Sequence, residues 1–161
     1  MRKKFLSTLS IVLIICSLFS MTLNAAEVEE KIVDGSYLTL QESSSGQNAN
    51  YNLRGKYMMD GSCTISKAGI GKIYVYGQTT AHETIDKVGV LIYIEQYDEK
   101  NDEWNVIETL SKESKDTYYV STAKRLTVER GTYYRVHAEH FVTQGDEFEE
   151  DISFTDGIMI D

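Results

Sequence analysis

The chain reads as an all-β protein, built as a two-sheet antiparallel sandwich. From residue 51 onward, runs rich in Tyr, Val, Ile and Thr alternate with breaks of Gly, Asp, Asn and Lys, the composition of strands and their turns. No stretch keeps apolar residues at helical spacing through three turns. The run 87–97 alternates with period two, so Val88, Val90, Ile92 and Ile94 share one face while Gly89, Leu91, Tyr93, Glu95 and Tyr97 share the other. The first set is the expected core face.

Residues 1–26 have the form of an export signal. Arg2, Lys3 and Lys4 precede an apolar run over 11–19, and Ala25 and Ala26 supply small residues at a cleavage position. An uncleaved anchor needs about 20 predominantly apolar residues, and Ser7, Thr8, Ser10, Ser17, Ser20 and Thr22 dilute this stretch. Cleavage after Ala25 or Ala26 is the expectation, with a secreted, extracellular product not held in a membrane. Ile14 and Ile15 stand where a lipoprotein site wants a small residue before Cys16, and a sequence with 0 prolines has no Leu-Pro-x-Thr-Gly sorting signal.

Residues 27–50 read as a flexible acidic and polar leader, with room for one short strand at 36–40 ahead of the Gly/Ser-rich block 42–50. The sandwich domain then occupies 51–161. Strands are expected at 54–59, 62–66, 72–78, 87–97, 103–110, 117–128, 132–142 and 153–160. In 132–142, Tyr134, Val136, Ala138 and Val142 point inward, and Tyr133, Arg135, His137, Glu139 and Phe141 point outward. Hairpins are expected at 98–103 and at Glu129-Arg-Gly131.

Removing 26 of 161 residues leaves one domain's worth of chain, with 13 of the 16 bases set against all 25 acids, a net charge of −12. That surface repels nucleic-acid phosphates and anionic membranes. Only Cys63 remains after cleavage, so no internal disulfide forms, and its place beside Ile65 on a strand face suits a buried small hydrophobe.

The segment Val128-Glu-Arg-Gly131-Thr132-Tyr133-Tyr134-Arg135-Val136 resembles the corner of fibronectin type III and immunoglobulin-like sandwiches. The resemblance implies an immunoglobulin/fibronectin III-like fold of seven strands, with the Tyr134 ring in the core and its hydroxyl bonded back to nearby backbone. Over a wider span, Arg54-Gly-Lys-Tyr-Met-Met-Asp-Gly61, Ile65-Ser-Lys-Ala-Gly-Ile-Gly-Lys-Ile-Tyr-Val-Tyr-Gly77 and Val88-Gly-Val90 are similar to an uncharacterised family of small secreted proteins from Clostridia-type Gram-positive bacteria. That similarity implies export and compact β structure and carries no activity.

No catalytic residues are assigned. His137 and His140 stand three apart on one strand and so face opposite ways, and neither a Gly-x-Ser-x-Gly elbow nor a His-Glu-x-x-His helix is present. For a metal, Asp98, Asp102, Asp146 and Glu149 are the candidate Ca²⁺ ligands, hard oxygens on loops, although neither loop has calcium-loop spacing; no other cofactor is expected. The outward aromatic face, Tyr93, Tyr97 and Tyr133 with Arg135 and His137, is the candidate contact surface, because tyrosine rings stack on sugars and grip proteins. The sequence therefore reads as a secreted non-catalytic binding or interaction domain for a glycan or an extracellular protein. The alternatives are a small hydrolase using an Asp/Glu pair with His137 or His140, and a structural module that assembles through an exposed edge strand.

Overall fold

The structure is a computed structural model that describes residues 31–48 and 55–161. The expected export signal 1–26, with Cys16, and the expected domain start at residue 51 lie outside the described residues. The described chain is all-β, with nine strands: β1 (Ile32–Val33), β2 (Ser36–Thr39), β3 (Ser43–Gln47), β4 (Met58–Lys67), β5 (Lys72–Asp98), β6 (Glu103–Thr127), β7 (Thr132–Gln144), β8 (Glu147–Phe154) and β9 (Gly157–Ile160).

Strands expected separately at 72–78 and 87–97 are one strand, β5. The intervening Thr-Thr-Ala-His-Glu-Thr-Ile-Asp holds no turn-forming Gly, Pro or Asn, and Thr79, Ala81 and Ile85 keep pointing inward through it. β6 likewise joins the two strands expected at 103–110 and 117–128, because its polar middle is carried along the unbroken edge of β5. The ladder slips between Thr80 and Ile85, and there the paired ribbon bends.

The first half of β5 pairs with β4 and the second half with β7, while β6 follows both halves along the opposite edge. Hydrogen bonding runs continuously through β1-β2-β9-β7-β5-β4-β3, with β6 added to β5 and β8 to β7. In place of two separately bonded sheets there is one sheet curled on itself into a half-barrel. Its inner surfaces meet in a single core of Ile65, Ile73, Val75, Val88, Val90, Ile92, Ile94, Val136, Val142 and Ile158, all fully buried. The inward faces of 87–97 and 132–142 are those the alternation gives. The Tyr134 ring is buried and its hydroxyl donates to Glu129 O at 3.0 Å, the corner bond expected of that residue.

Residues 43–47, which read as flexible loop, form β3 antiparallel to β4, from Ser43 opposite Ser66 to Gln47 opposite Ser62. Smallness is the reason. A Cβ at Gly46 would stand 1.8 Å from the Phe154 carbonyl oxygen, so the two ends of the curled sheet close together only over a glycine. The same holds at Gly61, where a Cβ would fall 2.4 Å from the His140 ring.

Gly46→Ala therefore overpacks the closure and is expected to lower stability by about 1–3 kcal/mol. Ser45→Ala, one residue away with an exposed side chain, should stay within about 0.5 kcal/mol. Urea unfolding of the two variants checks the contrast.

Candidate functional site

β5 and β7 lie side by side in a register that sets Tyr93 opposite His137 and Glu95 opposite Arg135, so the outward residues do share one face. Part of that face is covered. Arg135 is only 2% exposed, because the β1–β2 turn lies over it. Its Nε donates to Glu95 Oε2, its Nη1 to Asp34 O at 2.9 Å and Ser36 Oγ at 3.0 Å, and its Nη2 to Asp34 Oδ2 at 2.8 Å. The arginine expected to orient a ligand instead fastens the chain's own leader to the sheet. Nothing in the leader's composition signalled this, since Asp34 and Ser36 acquire their role only through register.

The guanidinium also sits in an aromatic row. Its carbon lies 4.6 Å from the Trp104 ring and 5.3 Å from Phe154. Phe154 stacks on His137 at 4.3 Å, His137 leans on Tyr93 at 5.2 Å, and beyond Trp104 come Tyr97 at 5.5 Å and then Tyr133 at 6.3 Å. Trp104 donates its indole N–H to Val33 O at 3.0 Å, a second tie to the leader. The sequence reading put Phe154 in an expected strand at 153–160, whereas it ends β8 (Glu147–Phe154), and it did not count Phe154 among the contact residues. The available signal was the period-two spacing of Phe148, Ile152 and Phe154 through β8.

The row ends at an open cleft between the 98–103 hairpin and the Gly131 turn. A cavity of about 580 Å³ is lined by Gln96, Tyr97, Asp98, Glu99, Lys100, Asn105, Gly131 and Thr132. A second, of about 350 Å³, shares Tyr97, Glu99, Gly131 and Thr132 with it and adds Lys31, Leu38, Tyr133 and Met159. Tyr97 is 6% exposed and forms the shared floor, packed with Val33 and Leu38.

The acidic candidates are divided between two places. Asp98 accepts from Asn101 Nδ2 at 2.8 Å and from Lys100 N at 2.9 Å, bracing its own hairpin, and the Asn101 bond above all holds its carboxyl below the ordinary range. Asp102 accepts from Lys31 Nζ at 2.8 Å and from the Tyr97 hydroxyl at 2.7 Å; the lysine bond, ahead of the tyrosine bond, depresses it likewise. Asp146 is exposed at the β7–β8 turn, whereas Glu149 accepts from Met58 N at 2.8 Å. Among the described residues no group of three or more His, Cys, Asp or Glu side chains is disposed to hold a metal.

His140 is fully buried between the sheet's two halves, its Nδ1 2.9 Å from Thr79 Oγ1 and its Nε2 2.8 Å from Ser153 Oγ. Burial pushes its pKa down to about 4. His137 lies on the outer face, lowered chiefly by burial, and His82 is exposed elsewhere. Cys63 is sealed in the core with its thiol pushed up to about 11 by burial.

A model of the Family of unknown function (DUF6147) matches residues 25–156. No curated protein and no solved structure matches the chain.

Two outcomes follow from these buried groups. Arg135→Ala strands Glu95 in a nearly dry site and is expected to cost about 3–5 kcal/mol, with amide exchange rising first over residues 31–39. His140 titrates at about 4 in the folded state against 6.5 ordinarily. The unfolded chain therefore binds the proton first, and stability present above pH ~6.5 is lost progressively down to pH ~4, on the order of 3 kcal/mol in all. Denaturant midpoints from pH 7.5 to 4 measure that slope, and His140→Gln should flatten it.

Proposed function

We propose, for a chain that belongs to this family of unknown function, a non-catalytic binding role outside the cytoplasm, with a glycan segment held in the cleft between Tyr97 and Tyr133. The supporting observation is the pair of adjoining cavities, of about 580 and 350 Å³, across a tyrosine floor. The larger falls within the roughly 300–1,000 Å³ of small-ligand sites. Its walls set the Tyr97 ring beside Gln96, Asn105 and Thr132, neutral donors and acceptors that match sugar hydroxyls, together with the charged Asp98, Glu99 and Lys100.

The floor favours recognition because it does not need to be organised on binding. Tyr97 is fixed by Asp102 and packed against Trp104, so little conformational entropy remains to be lost there. An immunoglobulin-like ancestry for the curled sheet, and export followed by release of the mature chain, belong to the same proposal. The Tyr134 corner supports the first and the cationic and apolar pattern of residues 2–19 the second. A net charge of −12 after cleavage argues against phosphate polymers as ligands. Non-catalytic binding fits the placement of the histidines, since His140 is sealed from solvent and His137 is stacked under Phe154.

A glycan array probed with the chain and with Tyr133→Ala tests the reading. Tyr133 forms a wall of the smaller cavity and packs on the small Val33–Leu38–Tyr97 cluster rather than on the main core, so the variant should still fold, with some loss of melting temperature, while losing at least tenfold in affinity, about 1.4 kcal/mol. Unchanged binding by Tyr133→Ala, or no glycan bound by the wild type, would sink the glycan reading.

A further inference from the structure

β6 is an edge. Among the described residues it pairs only with β5, and from Glu103–Thr127 its other side carries backbone donors and acceptors with no strand against them. Such an edge is an open template for another strand unless something blocks it. Here the usual block is present in kind, since Lys112, Glu113, Lys115 and Asp116 are all exposed in its middle. Their order makes the block conditional on the partner.

We propose that the β6 edge pairs with the β6 edge of a second copy of this chain, antiparallel about a two-fold axis at Ser114. In an antiparallel pair related by a two-fold normal to the sheet, residues equally spaced either side of the axis stand opposite on the same face. Centring on Ser114 sets Glu113 against Lys115 and Lys112 against Asp116, and by symmetry each pair occurs again across the axis. Every charged residue of this central stretch then meets its opposite. Moving the axis one residue either way, to Glu113 or Lys115, removes all of these matches. An edge that repels arbitrary strands is thus complementary to itself in one register.

Asp116, the outer member of the Lys112–Asp116 pair, has φ 50, so the strand turns there and regular pairing is confined to residues 112–116. The Lys87–Glu113 contact of 3.4 Å leaves Glu113 half exposed and open to a second cation.

The test is association measured by sedimentation equilibrium over a concentration series at low salt. The wild type is expected to dimerise and to weaken as salt rises. Lys112→Glu/Lys115→Glu leaves only acids in the central stretch, and Glu113→Lys/Asp116→Lys leaves only bases. Each variant alone should dimerise at least tenfold more weakly than the wild type, and an equimolar mixture of the two should form a heterodimer. Circular dichroism confirms that both are folded, and the mixture itself separates a lost interface from a lost fold. A wild type that stays monomeric, variants that dimerise as well as the wild type, or a mixture that fails to associate overturns the proposal.

Discussion

The unbroken run of β5 through its bend is the constraint on which the rest of the molecule depends. A chain whose described part has one cysteine and the whole of which has no proline must obtain stability from packing alone. It does so by folding one ladder back on itself, so that Ile73 and Val75 from the first half of β5 meet the same core as Val88, Val90, Ile92 and Ile94 from the second. Closure then falls to whatever can sit between the converging layers. Gly46 lies under the Phe154 carbonyl, and Gly61 lies under His140, which is pinned to Thr79 on one layer and Ser153 on the other. A neutral imidazole with both nitrogens partnered satisfies buried polar atoms across the seam without placing a charge in it.

On the outer surface the corresponding device is ionic. Arg135, Glu95 and Asp34 form a nearly buried cluster in which the guanidinium is both hydrogen-bonded and held between Trp104 and Phe154. Buried ion pairs are weak contributors to net stability but are intolerant of losing one partner. Their effect here is positional. The arginine places the β1–β2 turn over the sheet, and that turn supplies Val33 and Leu38, against which Tyr97 packs to make the floor of the cleft. The residue that looked like a ligand contact thus acts one layer beneath the surface that a ligand would meet.

The facing of residues in 87–97 and 132–142 was legible in the sequence, because period two is a local property and the core contributed by these strands follows from it directly. The Tyr134 corner came from the resemblance of residues 128–136 to sandwich corners, and it held because its hydroxyl reaches only to Glu129. Continuity across residues 79–86 was not, since a polar stretch reads as a break unless the strand beside it is known. β3 was missed because Ser and Gly are also linker residues, and only the approach of Phe154 reveals that smallness there is packing. The burial of Arg135 was invisible for a further reason. It depends on residues about 100 positions away in the chain, Asp34 among them, and no pattern within β7 encodes what lies on top of it.

β6 links the two surfaces through which the chain is proposed to act. Asn105, near its start, lines the larger cavity, while Ser114 marks the centre of the edge where a second copy fits. At about 3.3 Å per residue, the stretch between them spans roughly 30 Å. Two-fold pairing would therefore carry two clefts on the order of 60 Å apart on a rigid ribbon. A single shallow polar cleft binds an extended polymer weakly, because hydroxyl contacts exchange for water at little net gain. Two clefts at fixed spacing make the second contact intramolecular, and the gain is realised only on a ligand long enough to reach both. Separation along one strand thus allows assembly to raise affinity for a polymer without touching the residues that would recognise it.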